Sequence, residues 1–164
     1  MRGVAQRLDV APNALYSHVP SKTALLDDVL DDVLADVQAP ARDIDDPSVG
    51  LHQLMTSAYH VLLTHPGLVP LYLARQGARG LNAQRLGDTT TTLLVRAGVR
   101  GPAAGEALRV LIVYTIGFAA FATRAPIEAS DDRPLTTEQL LDNFTNGLRW
   151  LLEGILHTAA TPHR

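Results

Sequence analysis

The residues best suited to specific contact with another molecule lie near the start of the chain, between Pro12 and Lys22. Pro12 suits the first turn of a short helix, where its missing N–H costs nothing. Leu15 then points inward, which leaves Asn13 and His18 on the outer surface of that helix. Amide and imidazole groups exposed on one helix can form hydrogen bonds with another molecule. The chemistry indicated is therefore polar contact made by an exposed helix.

Two short helices must hold this surface in place. Val4 and Leu8 put apolar groups on one face of a predicted helix near residues 2–8. A tight corner at Asp9 leads into the second helix, near residues 12–18. Two short helices joined by a turn, with the second one exposed, predict a helix-turn-helix.

A third helix is predicted to follow at residues 21–38. Pro20 ends the exposed helix, and Ser21 can cap the next one by accepting a hydrogen bond from its backbone. Lys22 then lies at a positively polarised helix start, which is a natural position for a DNA phosphate. The leucines and valines that follow form one helical stripe, which would fasten the DNA-binding tip to the rest of the molecule.

The rest of the sequence also has helical periodicity, and no stretch shows sustained alternation of apolar and polar residues. The predicted fold class is all-α. The acidic, proline-flanked segment 40–47 is the best candidate boundary, which gives a DNA-binding region at residues 1–39 and a regulatory region at residues 40–164. Prolines and glycines divide the whole chain into predicted helices near residues 2–8, 12–18, 21–38, 48–64, 67–76, 82–97, 103–124 and 136–157.

Composition excludes several classes of protein. The 164 residues include no cysteine, so disulfides, thiolate zinc sites and cysteine nucleophiles are excluded. The net charge of -3 is uneven, because residues 1–26 carry three basic side chains against one acidic, and residues 27–46 carry one against eight. A basic tip is compatible with a DNA contact confined to it, and a solvated helix beside an ordinary loop would explain the charges equally well.

No secretory signal is visible at the N-terminus, and no long apolar run predicts a membrane span. The longest mostly apolar run, from Val110 to Ala122, has 13 residues, fewer than the roughly 18 needed to cross a bilayer. We therefore expect a cytoplasmic protein with no membrane partner.

The run from Ala5 to Asp27, AQRLDVAPNALYSHVPSKTALLD, closely resembles the DNA-binding region of TetR-family transcriptional regulators. The shared pieces are the L-x-V turn, the short helix ending L-Y-x-H-V, and S-K-x-x-L-L at the start of the connecting helix. Beyond residue 47, HPGLVPLYLAR, IGFAAFA and FTNGLRWLLEGI look like the regulatory domain of the tetracycline-repressor branch. The resemblance thus covers almost the whole chain.

The resemblance implies that the outer face of the helix at residues 12–18 enters the major groove. The alternatives are a half-buried core aromatic for Tyr16 and a helix-capping surface histidine for His18. Carried over residue by residue, Pro12, Asn13, Ala14, Ser17 and His18 take base-facing or groove-facing positions, and Tyr16 and Lys22 take phosphate-binding positions.

This sequence departs from the family pattern at two places. Asp9 stands where the family usually has glycine, at a corner that commonly needs positive φ, and Asp is among the few tolerated substitutes. The family also has a further helix before the position of Met1, so the resemblance implies a truncated helix-turn-helix. We expect a lost or unassigned segment upstream, because the motif that follows is undamaged. The alternative is a DNA-binding region that binds DNA poorly because it lacks that helix.

The predicted helices at residues 103–124 and 136–157 carry the signal for a homodimer. The first is apolar all round from Val110 to Phe121, so both of its faces should be buried. Two such helices from each of two chains would form a four-helix bundle, as the resemblance also implies. Burial of both helices within one chain's core is the alternative. The predicted interface residues are Tyr114, Gly117, Phe121, Phe144, Gly147, Leu148, Leu151 and Gly154.

The helices between residues 48 and 97 mix apolar side chains with a few hydrogen-bonding ones, as a pocket for a hydrophobic small-molecule effector requires. In the resembled family this region encloses the inducer. For each single residue, packing is an equally good explanation. The candidates for lining the pocket are His52, Met55, Tyr59, Tyr72, Gln76, Leu86, Thr90, Leu93, Thr115 and Phe118.

Catalysis is not predicted, because the chain has no H-E-x-x-H, G-x-S-x-G, Walker or dinucleotide-binding motif. No cofactor and no metal are predicted either. The sequence therefore favours a transcriptional regulator, specifically a repressor that a small molecule releases from a double-stranded DNA operator. The alternative is a dimeric helical protein that binds a small molecule and has no functional DNA-binding head.

Overall fold

A computed structural model describes residue 7 and residues 20–41, 43–124 and 135–160. Within these ranges the chain is helical and contains no β-strand, so the predicted all-α fold class is confirmed. The helices are α1 (Lys22–Val33), α2 (Pro47–Thr64), α3 (Val69–Arg75), α4 (Leu81–Arg96), α5 (Pro102–Ala122) and α6 (Thr137–Ala160), with 3-10 turns at Leu34–Asp36 and Pro66–Leu68.

The helix starts follow from short-range hydrogen bonding. Ser21 caps α1 as predicted, since its hydroxyl accepts from the backbone N–H of Ala24 at 3.0 Å. Asp46 caps α2 by accepting from the N–H of Ser48 at 2.8 Å, and Pro47 takes the first helical position. These caps fix where the chain enters each helix.

The third helix predicted from the sequence, at residues 21–38, is shorter in the structure. The α-helix ends at Val33, and one 3-10 turn follows before Val37 adopts an extended conformation. Val37 is buried, because this change of direction carries it into the core. The described residues 37–41 and 43–46 then connect α1 to α2 without helical structure, and the domain boundary at residue 40 stays a prediction.

Helix α5 is the central helix of the fold and packs against α2, α3, α4 and α6. Its 21 residues are long and apolar enough to cross a membrane by length and composition alone, although the mostly apolar run from Val110 to Ala122 is shorter. A core helix passes the same test. Here Leu111, Thr115 and Ala119 lie on its buried face, so packing inside the protein explains the apolar residues on that face. Val113 and Phe121, on the rest of the helix, are exposed.

Candidate functional site: a cavity coupled to the first described helix

A cavity of about 150 Å³ lies between α2, α4 and α5, and the end of α3 closes one side. Much of its wall is aliphatic, including Leu54, Leu62, Leu108, Ile112 and Ile116, none of which was predicted. Periodicity shows which residues of a buried helix are apolar but not which side faces a void. The residues in the lining that the sequence did predict are Met55, Tyr72, Gln76, Leu86, Thr90 and Thr115.

The other four predicted lining residues lie elsewhere. His52 is half-buried on α2 and does not line this cavity. Leu93 packs against Gly50, where a Cβ would lie 3.1 Å from its Cδ2 atom. Tyr59 and Phe118 belong to an aromatic cluster. Leu93, Tyr59 and Phe118 are engaged in packing, which was the alternative explanation for them. None of the four residues lines this cavity, so their assignment to its lining is corrected.

Three of the lining residues carry buried hydroxyl groups, and each hydroxyl donates to a backbone carbonyl oxygen. Thr90 donates to Leu86 at 2.7 Å. Thr115 donates to Leu111 at 2.9 Å. Tyr72 donates to the carbonyl of Leu30 in α1, so one wall residue of the cavity is bonded directly to the first described helix.

The cavity is uncharged, because none of its lining residues within the described part of the chain is acidic, basic or histidine. Burial, together with the nearby carboxylate of Asp31, raises the pKa of the Tyr72 phenol well above its usual range. Tyr72 therefore remains a neutral hydrogen-bond donor to Leu30 at physiological pH.

An ion pair joins α1 to the end of α3. The guanidinium of Arg75 donates to both carboxylate oxygens of Asp27, from Nε at 2.5 Å and from Nη2 at 2.6 Å. A bidentate arrangement of this kind fixes relative orientation as well as distance. It lies one residue before Gln76, which lines the cavity.

A second link joins α1 to α4 through Asp31, whose residue exposure is only 8%. Its carboxylate accepts from the backbone N–H groups of Asn82 at 3.0 Å and Ala83 at 2.8 Å, and from the side-chain amide of Asn82 at 3.3 Å. Asp31 therefore caps the positive end of α4 from another helix. Arg85 adds a hydrogen bond to the carbonyl of Leu34 at 3.3 Å, so α1 is attached to both α3 and α4.

The aromatic cluster comprises Tyr59, Tyr114, Phe118 and Phe144, at the junction of α2, α5 and α6. Tyr59 stacks on Phe144 with ring centroids 4.0 Å apart. The Tyr114 hydroxyl donates to the carbonyl of Phe144 at 2.8 Å. The hydroxyl of Tyr59 is buried and has no hydrogen-bond partner among the described residues, and burial raises its pKa.

We expect Tyr59→Phe to raise the free energy of unfolding by about 1 kcal/mol, because it removes a buried unpaired hydroxyl and keeps the stacked ring. Tyr114→Phe should lower it by about 0.5–1.5 kcal/mol, since that hydroxyl is bonded. Urea denaturation followed by circular dichroism measures both. A loss of stability in Tyr59→Phe would contradict the assignment of an unpaired hydroxyl.

The residues predicted for a dimer interface divide into two groups in the structure. Phe121, exposed to 62%, lies with Gly117 and Gly154 on the outer surface of the two long helices. Leu151 is half-buried at its edge. Phe144 and Leu148 are completely buried within this single chain. These two residues therefore lie in the core, where a second copy cannot contact them, and their assignment to an interface is corrected.

Tyr114 and Gly147 also have partners within the same chain. A Cβ on Gly147 would overlap the Tyr114 hydroxyl oxygen and lie 3.3 Å from the ring carbon that carries it. The close approach at this glycine therefore joins α5 to α6 within the same chain. The outer surface itself is apolar, with Val113 exposed to 69% and Trp150 to 64%.

We expect Gly147→Ala to destabilise the protein by about 1–3 kcal/mol, because the added methyl group displaces the Tyr114 ring. In a Tyr114→Phe background the overlapping oxygen is absent. The loss of unfolding free energy in the double variant should therefore be smaller than the sum of the losses in the two single variants. A double-mutant cycle of unfolding free energies measures this difference. Strict additivity would show that Gly147 does not contact Tyr114.

The predicted DNA-contacting residues are mostly outside the part of the chain that the structure describes. This applies to Pro12, Asn13, Ala14, Tyr16, Ser17 and His18. Lys22 is described, and it is the exposed first residue of α1. Its ammonium is thus available at a helix start, where the sequence placed it.

Comparison with known proteins relates this architecture to solved structures. No protein-family model matches the chain, and no curated protein matches it. ActR, a TetR-family protein of Streptomyces coelicolor crystallised with actinorhodin, superposes with a TM-score of 0.79 at 22% identity, over 98% of this chain and 88% of that one. The chain has the TetR-family fold.

Two further structures share this fold. BioQ of Mycobacterium smegmatis gives a TM-score of 0.75 at 22% identity, over 95% of this chain and 85% of that one. SCO7704 of Streptomyces coelicolor, named as a transcription regulator, gives a TM-score of 0.68 at 27% identity, over 98% of this chain and 84% of that one. The fold that the motif from Ala5 to Asp27 implied is confirmed, and the TetR-family proteins that share it are regulators rather than enzymes.

Proposed function

We propose that this protein is a ligand-responsive, DNA-binding transcriptional regulator, and specifically a cytoplasmic repressor that a small molecule releases from its operator. The observation that carries the proposal is the bond between Tyr72, in the wall of the cavity, and Leu30, in α1. Helix α1 directly follows the segment with the helix-turn-helix motif. Occupancy of the cavity can therefore act on the helix that supports the DNA-binding segment.

The proposed active form is a homodimer. Its interface is the apolar outer surface of α5 and α6, which includes Val113, Phe121 and Trp150. Two recognition helices in such a dimer would read half-sites one DNA turn apart, roughly 34–36 Å. A ligand that shifts α1 would change this spacing and weaken DNA binding. It can do so only if it binds the protein with α1 shifted more tightly than the protein with α1 in the DNA-binding position.

DNA binding is tested by fluorescence anisotropy with DNA from the gene's own promoter, in a salt series and against a scrambled duplex. We expect a preference for promoter DNA of about 10³-fold or more. Binding with no preference at any salt concentration would remove the regulator assignment. Ligand binding without DNA binding would instead support a dimeric small-molecule-binding protein.

We expect Lys22→Ala to weaken binding to all duplexes about equally and to lower the salt slope by about one, because one phosphate contact is lost. Arg100→Ala is the matched control, since Arg100 is an exposed cation between α4 and α5. It should leave both the affinity and the slope unchanged. An unchanged slope in Lys22→Ala would show that its ammonium does not contact DNA.

A further inference from the structure

The cavity wall has a particular hydrogen-bonding character, because the O–H of each of its three buried hydroxyl groups already donates a hydrogen bond within the protein. Thr90, Thr115 and Tyr72 each donate to a backbone carbonyl, which can only accept. Each oxygen keeps lone pairs that can still accept. The sulfur of Met55, 3.6 Å from the Thr115 hydroxyl, is another acceptor in the same wall. The buried side-chain groups of the wall therefore accept hydrogen bonds.

We propose that the ligand of this cavity is a small, uncharged aromatic compound with one O–H or N–H donor, of the phenol class. A donor on the ligand would pair with a lone pair of Thr90, Thr115 or Tyr72 without breaking any existing bond. An acceptor-only group, such as a carboxylate, would face the same lone pairs and be repelled. This inference rests on the proposed function in one respect, namely that the cavity is the ligand site.

Size and charge limit the ligand further. The cavity measures about 150 Å³, and a dry apolar cavity of about that size accepts a benzene ring. Sites for drug-sized ligands are larger, about 300–1,000 Å³. None of the lining residues in the described ranges is charged, so an ionised ligand would lose its hydration and gain no counter-charge. One ring with one donor meets these conditions.

Gln76 lies on a side of the cavity where a substituent on the ligand's ring can extend towards solvent. It is exposed, and its backbone is left-handed with φ of 57°, a conformation that few residues other than glycine adopt. Its amide can both donate and accept. Gln76 can therefore pair with either kind of polar substituent, while the donor of the ligand is directed towards the threonines.

Calorimetric titration of the whole protein without DNA tests this class with three probes. Phenol and toluene have nearly the same shape and differ in the donor, and benzoate is an acceptor-only anion. We expect phenol to bind about fivefold or more tightly than toluene, since an unpaired hydroxyl would instead favour toluene, and benzoate to bind most weakly. Toluene binding as tightly as phenol, or benzoate binding more tightly, would overturn the proposal.

Thr90→Val and Thr115→Val identify the hydroxyl oxygen that accepts the hydrogen bond of the ligand, because valine keeps the shape of threonine and lacks the oxygen. Tyr72→Phe removes the third candidate oxygen, and we expect at least one of these three variants to abolish the preference for phenol over toluene. Thr90→Ser should keep the preference if Thr90 is the acceptor. The matched control is Thr89→Val, because Thr89 also donates to a carbonyl in α4, that of Arg85 at 2.8 Å, but lies outside this cavity.

The failure of this inference and that of the proposed function are distinguishable. If promoter DNA is bound specifically and phenol shows no advantage over toluene, the donor class is wrong and the regulator assignment stands. If no probe binds the wild-type protein, the cavity does not take a single-ring ligand and the inference is overturned, whatever the DNA result. A preference for phenol that survives Thr90→Val, Thr115→Val and Tyr72→Phe would also overturn it.

Discussion

Gly80→Ala is expected to lower the free energy of unfolding by about 2–4 kcal/mol, although alanine suits the backbone at this position. Gly80 precedes α4 with φ of -86°, so the substitution causes no backbone strain. The added Cβ would overlap the carboxylate of Asp31 and lie 2.7 Å from its Cβ. The side chain of Asp31 would have to leave, and the first turn of α4 would lose its cap from α1.

Thermal and urea unfolding monitored by circular dichroism measure this effect. Gly87→Ala is the matched control, because Gly87 lies within α4 and nothing is within 4 Å of its added Cβ. That variant should gain about 0.5–1 kcal/mol, the usual advantage of alanine inside a helix. If Gly80→Ala is as stable as Gly87→Ala, Asp31 does not hold α1 against α4 as described.

Tyr72→Phe is expected to make the ligand-induced loss of operator affinity about fivefold smaller than in the wild type. The ring still fills the core, but the hydrogen bond to Leu30 is lost. One such bond contributes about 1 kcal/mol, and a ligand can shift the equilibrium only through contacts that differ between the two states. The ligand-induced loss of operator affinity should therefore shrink, while the contacts of Asp27 and Asp31 still hold α1 in place.

Operator titrations with and without a cavity ligand measure this change in both the wild type and the variant. Tyr114→Phe is the control, because its hydroxyl contacts Phe144 in the aromatic cluster and not α1. It should leave the ligand-induced change as in the wild type. An equal ligand response in Tyr72→Phe and wild type would show that another contact carries the signal.

The sequence predicted the helices well because their signals are local. Ser21 and the prolines at positions 47 and 102 determine where helices begin. Contacts between distant segments had no such signal. Asp31 reads as one of several acidic residues on an exposed helix, yet it caps a helix that starts 50 residues later in the chain, at Leu81.

The candidate site was predicted in part for the same reason. Thr90 and Thr115 stood out because hydroxyl groups are unusual among aliphatic neighbours, and both line the cavity. Tyr59 also combines an apolar ring with a hydroxyl, but its ring stacks on Phe144, and Phe118 packs edge-on against Tyr59. Composition shows that a side chain is amphipathic, and only packing decides whether a cavity or another ring lies next to it.

The affinity for promoter DNA, measured at one salt concentration with and without saturating phenol, tests the central claim most directly. Calorimetry on the same sample establishes that the cavity is occupied. Allosteric couplings of about 1–3 kcal/mol correspond to affinity changes of about 5–150-fold, and we expect phenol to weaken DNA binding within that range. Identical DNA affinities with the cavity empty and filled would contradict the account, because α1 would then transmit nothing.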